Sequence, residues 1–228
     1  TVSVLYWPFM ALPDESVLPT AVTQRVTLNL AKAAAAGDAY TGTSTIEYFL
    51  DAPGYDTLVF HADAGNVTLD KLRLVSAKGS PKIKATTRCT GGRAVGSSPL
   101  QPATADGDVV VVTAAEPLTM GKLSLVVDFT AKVRGDNVGV YACIPGSLQS
   151  GYCLATQFEV TEARKAFPCV DDAHVRSSLA LSLVVPSTCN VVLANTDETG
   201  RAASGATTTV TFAPTRPLPA YVFAFVVG

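Results

Sequence analysis

Leu123-Ser124-Leu125-Val126-Val127-Asp128-Phe129 decides the fold class. In an extended chain the apolar side chains at 123, 125, 127 and 129 fall on one side, and Ser124, Val126 and Asp128 on the other. Val26-Thr27-Leu28-Asn29-Leu30 repeats the alternation, and both runs read as half-buried strands. Outward from them, further strands are predicted over residues 40–50, 57–61, 67–75, 82–87, 109–113, 138–144, 179–185, 191–194, 207–212 and 221–227. Turn chemistry separates them at Pro53-Gly54, Gly79-Ser80-Pro81, Gly91-Gly92, Gly135-Asp136-Asn137 and Thr199-Gly200. So many strands at short spacing exceed one small sandwich. The expected architecture is all-β, fused β-sandwiches sharing a central sheet, with at most one or two short helices.

Helix signals are few. Residues 31–36 are alanine-rich, but Gly37-Asp38 follows at once, so a turn or two of helix and a hairpin loop are both open readings. Residues 161–167 carry a better pattern. Thr161 is placed to cap, Glu162 sits where a helix dipole favours an acid, and Pro168 disfavours helical geometry at Phe167.

The composition excludes several classes. The chain has 228 residues, 48% hydrophobic and 16% charged, with 17 basic against 19 acidic side chains. A chain of that length buries roughly 70% of its unfolded surface. No cationic excess and no basic cluster interleaved with aromatics argue against nucleic acid or an anionic membrane as partner. Residues 1–12 are apolar but have no basic leader and are too short to span a bilayer, so no membrane association is expected. Cys89, Cys143, Cys153, Cys169 and Cys189 are too irregularly spaced for a stapled scaffold or a zinc knuckle. Reduced thiols are expected, although Cys143 and Cys153 flank a short loop across which a bridge is conceivable. The sequon Asn66-Val67-Thr68 falls in an expected strand and is read as chance, with a cytoplasmic location for the protein.

Polar chemistry concentrates in Ala155-Thr156-Gln157-Phe158-Glu159. Read as a strand, it places Ala155, Gln157 and Glu159 on one face and Thr156, Phe158 and Val160 on the other. Phe158 would anchor the strand while an amide and a carboxylate face a cleft. The alternative is that Glu159 pairs with Arg164 or a lysine and Gln157 satisfies a backbone group. Arg164 and Asp171 are expected to pair and lock the short helix to the following loop. His61 closes an apolar strand and is expected to make a structural hydrogen bond. His174, beside Asp171 and Asp172, reads as solvated surface. Neither histidine has metal-ligand spacing, and no Gly-x-Ser-x-Gly elbow or phosphate-binding glycine loop occurs.

The run Thr-Gln-Phe-Glu-Val-Thr-Glu-Ala-Arg-Lys-Ala-Phe-Pro-Cys-Val-Asp-Asp-Ala, from Thr156 to Ala173, resembles a signature of the aminopeptidase N and puromycin-sensitive aminopeptidase family. That signature reads Thr-Gln-Phe-Glu-Pro-Thr-Asp-Ala-Arg-Arg-Ala-Phe-Pro-Cys-Phe-Asp-Glu-Pro. Weaker agreement is found at Leu18-Pro19, Tyr40-Thr41-Gly42, the segment from Thr57 to Ala62, Gly139-Val140-Tyr141 and the closing Ala224-Phe225-Val226-Val227-Gly228. The resemblance implies an N-terminal extension over residues 1–17 and, over 18–228, the family's saddle-like N-terminal β-sandwich domain, with the catalytic zinc domain outside this chain. It implies that Gln157 and Glu159 hold the free α-amino group of a peptide, that no catalytic or metal residue lies here, and that zinc in the full-length enzyme polarises the scissile carbonyl and lowers the pKa of its water to about 7. Expected partners are the N-terminus of a peptide substrate and the downstream catalytic domain of the same polypeptide. Val170 and Ala173 replace the signature's phenylalanine and final proline, and Val22 and Arg25 stand where relatives often carry proline and tyrosine. The competing expectation is a non-catalytic β-sandwich module of the same fold family that binds a protein partner.

Overall fold

The computed structural model describes residues 20–89, 108–143 and 153–228. Its strands are β1 (Thr20–Asn29), β2 (Ala39–Leu50), β3 (Thr57–His61), β4 (Val67–Ser76), β5 (Ile83–Cys89), β6 (Val109–Ala114), β7 (Gly121–Lys132), β8 (Gly139–Ala142), β9 (Leu154–Gln157), β10 (Ser178–Pro186), β11 (Val192–Ala194), β12 (Glu198–Ser204), β13 (Thr207–Phe212) and β14 (Phe225–Val227). They form a seven-stranded sheet in the order β12-β13-β10-β1-β2-β7-β4, a four-stranded sheet β11-β14-β9-β8 and a three-stranded sheet β3-β6-β5. The all-β expectation holds.

The large sheet is built by the alternation seen in the sequence. Leu123, Leu125, Val127, Phe129 and Ala131 of β7 are all buried, as are Tyr40, Ser44, Ile46, Tyr48 and Leu50 of β2. The antiparallel register sets Tyr48 against Leu123, Ile46 against Leu125 and Ser44 against Val127, so the two strands present one joint face. Leu179, Leu181, Leu183 and Val185 extend that face on β10, which runs parallel to β1. The smaller sheets are built from chain excursions between strands of the large one and, for β14, from the segment that follows its last strand, and they share its core. Leu58, Phe60, Val110 and Val112 from the three-stranded sheet, and Val140, Leu154, Phe225 and Val227 from the four-stranded sheet, join Ile46, Val127 and Leu183 in a single buried cluster.

Gly42 shows how tightly β2 and β7 meet. A Cβ at this position would lie 2.6 Å from Phe129 Cζ and 2.7 Å from the Thr27 carbonyl oxygen. The Phe129 ring is buried in the core and the Thr27 carbonyl belongs to the backbone, so neither yields cheaply. Gly42→Ala is expected to cost about 1–3 kcal/mol by overpacking. A denaturant midpoint unchanged by this substitution would contradict that close approach.

Several local expectations are corrected. Residues 161–167 are not an α-helix: a turn leads into one 3-10 turn, Ala163–Lys165, whose N-cap is Glu162 rather than Thr161 and makes no side-chain capping bond. Seven residues before a proline are too few to propagate a helix, and tertiary bonds to Asp108 and Asp171 fix the segment instead. The strand expected over 155–159 ends at Gln157. Residues 31–36 form the loop of the β1–β2 hairpin, where Asp38 Oδ2 accepts the Ala34 and Ala35 N–H groups at 2.9 Å each. Thr199-Gly200 is not a turn but part of β12, a solvent-exposed edge strand held by its ladder to β13. Of residues 221–227 only the last three are strand, because Ala220–Val222 makes a 3-10 turn after Pro219. The expected strand over 138–144 spans Gly139–Ala142. The extension over 1–17, the Gly91-Gly92 turn and the loop after Cys143 lie outside the described residues.

Candidate functional site

The segment that follows β9 is clamped from beneath and from both sides. Phe158 and Phe167 are buried and meet edge to face, their ring centroids 5.7 Å apart. From the large sheet, the Tyr40 hydroxyl donates to the Ala166 carbonyl at 2.7 Å and the Ser44 hydroxyl to the Pro168 carbonyl at 2.6 Å. These two residues stand four apart on one strand, so both reach the same face. From the three-stranded sheet, His61 and Cys169 exchange backbone hydrogen bonds of 2.7 and 3.0 Å, and the Asp63 N–H donates to the Arg164 carbonyl at 2.9 Å. The Asn66 amide donates to the Lys165 carbonyl at 2.7 Å and to the Lys132 carbonyl at 3.0 Å, so the sequon asparagine holds two backbone carbonyls.

On this platform Gln157 and Glu159 face solvent. Gln157, the last residue of β9, lies opposite Gly139 of β8. Its Oε1 accepts the backbone N–H of Glu159 at 3.1 Å. The two residues therefore share an exposed corner rather than the face of one strand, with Phe158 between them pointing into the core. The alternative partners proposed for Glu159 are engaged elsewhere. Arg164 binds two aspartates, and Lys165 binds Glu162 at 2.5 Å. β9 pairs with β14, and the Thr156 hydroxyl is bonded to the backbone of Phe225, which places the corner beside the last strand of the chain. A shallow depression of about 380 Å³ between 76–82 and 115–119 includes neither Gln157 nor Glu159 in its lining.

The rigid element behind the corner is an ion network. Arg164 Nε lies 3.0 Å from Asp171 Oδ2, its Nη2 donates to the Asp171 carbonyl at 2.7 Å, and its Nη1 is bonded to Asp108. The Arg164 N–H also donates to Asp171 Oδ2 at 3.2 Å. Asp171 is 3% exposed. Burial pushes its carboxyl above the ordinary value, with the field of Arg164 opposing. Burial works against the Arg164 charge too, yet the hydrogen bond to Asp108 and the fields of Asp171 and Asp108 hold its pKa above the usual value. The expected Arg164–Asp171 lock is present. Asp108 was not legible, since its place beside Arg164 is set by pairing between strands far apart in sequence.

His61 is a member of the same network. Its Nδ1 accepts the Asp171 N–H at 3.1 Å, so the ring is neutral with its proton on Nε2. Burial first, and then the Arg164 charge, lower its pKa from 6.5 to about 4. Between those values the unfolded chain takes up a proton that the folded chain refuses. The stability tied to neutral His61 is therefore complete above about pH 6.5 and is lost as pH falls toward 4. Between pH 7.5 and 5 the unfolding free energy of the chain should fall by about 2 kcal/mol relative to a His61→Gln variant. Parallel pH profiles from urea titrations of the two proteins would remove His61 from the account. His174, by contrast, is solvent-exposed, with its Nδ1 3.1 Å from Asp172 Oδ1.

All five cysteines are free thiols. Among the described residues, no group of three or more His, Cys, Asp or Glu side chains is arranged to hold a metal ion. No helix among them is long and apolar enough to cross a membrane.

A model of the peptidase M1 N-terminal domain matches residues 26–222. Among curated proteins, the chain is 27% identical to glutamyl aminopeptidase of Mus musculus over 197 residues, covering 83% of this chain and 19% of that protein. It is 30% identical to aminopeptidase M1-B of Oryza sativa subsp. japonica over 124 residues, covering 54% of this chain and 14% of that protein. It is 32% identical to endoplasmic reticulum aminopeptidase 1 of Mus musculus over 107 residues, covering 44% of this chain and 11% of that protein. The matches thus span less than a fifth of the length of each of these relatives.

Proposed function

The chain belongs to the peptidase M1 N-terminal domain family, and from that premise we propose that it is the substrate-anchoring domain of a zinc-dependent aminopeptidase, with Glu159 and Gln157 holding the free α-amino group of a peptide. The observation that carries the reading is the exposed Gln157/Glu159 corner on a clamped segment. An ammonium group bound there would meet a carboxylate that no cation of the described chain occupies, in a charge-assisted hydrogen bond. Gln157 contributes by fixing the backbone of residue 159, because its amide oxygen already accepts that N–H.

The chemistry assigned to this chain is recognition. A carboxylate aimed at the substrate ammonium favours a free N-terminus over a blocked one, because a blocked terminus leaves the charge without a partner. The described residues do not provide a zinc site, so the zinc that the family implies is assigned to a catalytic domain elsewhere in the complete polypeptide, and that domain is the proposed partner. We propose a cytoplasmic location, because the five cysteines lack the spacing of a disulfide-stapled secreted scaffold. The test is kinetic: the complete protein is assayed for release of N-terminal residues from peptides with free and N-acetylated termini. Cleavage of the free peptide alone supports the reading, and equal cleavage of both rejects it.

A further inference from the structure

We propose that Cys143 and Cys153 form a dithiol poised to close into a cross-strand disulfide tying β8 to β9, a reversible modification site. The evidence is in the ladder. Gly139 pairs with Gln157, Val140 with Thr156, Tyr141 with Ala155 and Ala142 with Leu154, so the next rung sets Cys143 against Cys153. The Cys143 N–H donates to the Cys153 carbonyl at 2.8 Å, showing that the rung is formed. Directly opposed residues of an antiparallel pair carry side chains on the same face, and a hydrogen-bonded pair has its Cα atoms about 5.5 Å apart. That falls inside the separation a disulfide spans, about 4.4–6.8 Å.

The other cysteines are not alternatives. Cys89, Cys169 and Cys189 are buried at 5%, 0% and 8% exposure, whereas Cys143 and Cys153 are half-buried. The reaction is thiol exchange with a low-molecular-weight disulfide such as glutathione disulfide. Burial, and then the adjacent Cys153, push the Cys143 thiol up to about 11; the thiolate of either residue can open the exchange, and with Cys153 first it runs in two steps. The Cys153 thiolate attacks one sulfur of glutathione disulfide, forming a mixed disulfide and releasing one glutathione thiolate. Cys143 then loses its proton to solvent and attacks the Cys153 sulfur, releasing the second glutathione. Two protein thiols are oxidised, and one glutathione disulfide is reduced to two thiols. The crosslink fixes the strand that ends at Gln157, and the inference does not depend on the peptide-anchoring reading.

The test uses the 228-residue chain equilibrated under native conditions in glutathione buffers of rising oxidised fraction, then alkylated and digested with trypsin. No Lys or Arg lies between Arg134 and Arg164, so both cysteines fall in one tryptic peptide, 135–164. The expected product is that peptide without alkylation and lighter by two hydrogens than its reduced form, with Cys89, Cys169 and Cys189 alkylated after unfolding. Cys143→Ser should instead accumulate a stable glutathione adduct on Cys153, which shows that Cys143 resolves the mixed disulfide. Full alkylation of peptide 135–164 at every buffer ratio would overturn the proposal. So would a bridge to any of the other three cysteines, or a persistent glutathione adduct in the unsubstituted chain.

Discussion

Replacing Arg164 by methionine should lower the unfolding free energy by about 3–5 kcal/mol at neutral pH, the scale for leaving one member of a buried ion pair without its partner. The guanidinium binds Asp171 through Nε and the Asp171 carbonyl through Nη2, and it reaches Asp108 with Nη1. Asp171 is already pushed above its ordinary pKa by burial, with Arg164 as the chief opposing influence. Without the guanidinium, the folded-state pKa of Asp171 rises further above its unfolded value. A raised carboxyl costs stability when it must ionise and costs nothing once both states hold the proton. The defect should therefore be largest near pH 7 and shrink as pH falls toward the ordinary carboxyl range. Arg164→Lys should recover part of the loss, because an ammonium supplies the charge but not the fork that reaches both aspartates. Adding Asp171→Asn to Arg164→Met should also recover part of it. Denaturant unfolding curves for these variants settle the matter, and a loss under about 1 kcal/mol for Arg164→Met would show that the network contributes little to the platform.

Glu159→Ala, made in the complete enzyme, should lower kcat/KM for peptides with a free N-terminus by about 30–1,000-fold, corresponding to roughly 2–4 kcal/mol for the loss of a charged hydrogen-bond partner. Folding should be spared. The side chain is exposed and makes no ion pair with the described residues, and the local bond to Gln157 uses the backbone N–H that alanine retains. Gln157→Ala should have the smaller effect, because it removes the acceptor that fixes residue 159 and leaves the carboxylate. A Glu159→Ala enzyme with normal stability and normal kcat/KM would remove this residue from substrate binding.

Alternation made the core strands legible. Leu123 to Phe129 and Leu179 to Val185 each carry one apolar face, and those faces are the ones that meet in the core. The edge strand β12 carries no such signal, since its residues are almost all exposed and its formation depends on the backbone ladder to β13. Gly205, with φ of 59°, marks the true turn of that hairpin. At the candidate site the sequence placed Phe158 inside and paired Arg164 with Asp171, both from local pattern. It extended β9 too far, because period-two reading cannot see the sheet run out of partners: β8 begins at Gly139, opposite Gln157. Asp108 and His61 join Arg164 and Asp171 only through tertiary pairing, and no spacing in the chain announces it.

The central claim is that the carboxylate of Glu159 binds a peptide's ammonium group. Its most direct test compares kcat/KM for an aminoacyl substrate with that for its des-amino analogue, in the complete enzyme and in its Glu159→Gln variant. The account predicts that the unsubstituted enzyme strongly prefers the amino-bearing substrate and that the variant loses most of that preference while cleaving the des-amino analogue as before. An undiminished preference in the variant would contradict it.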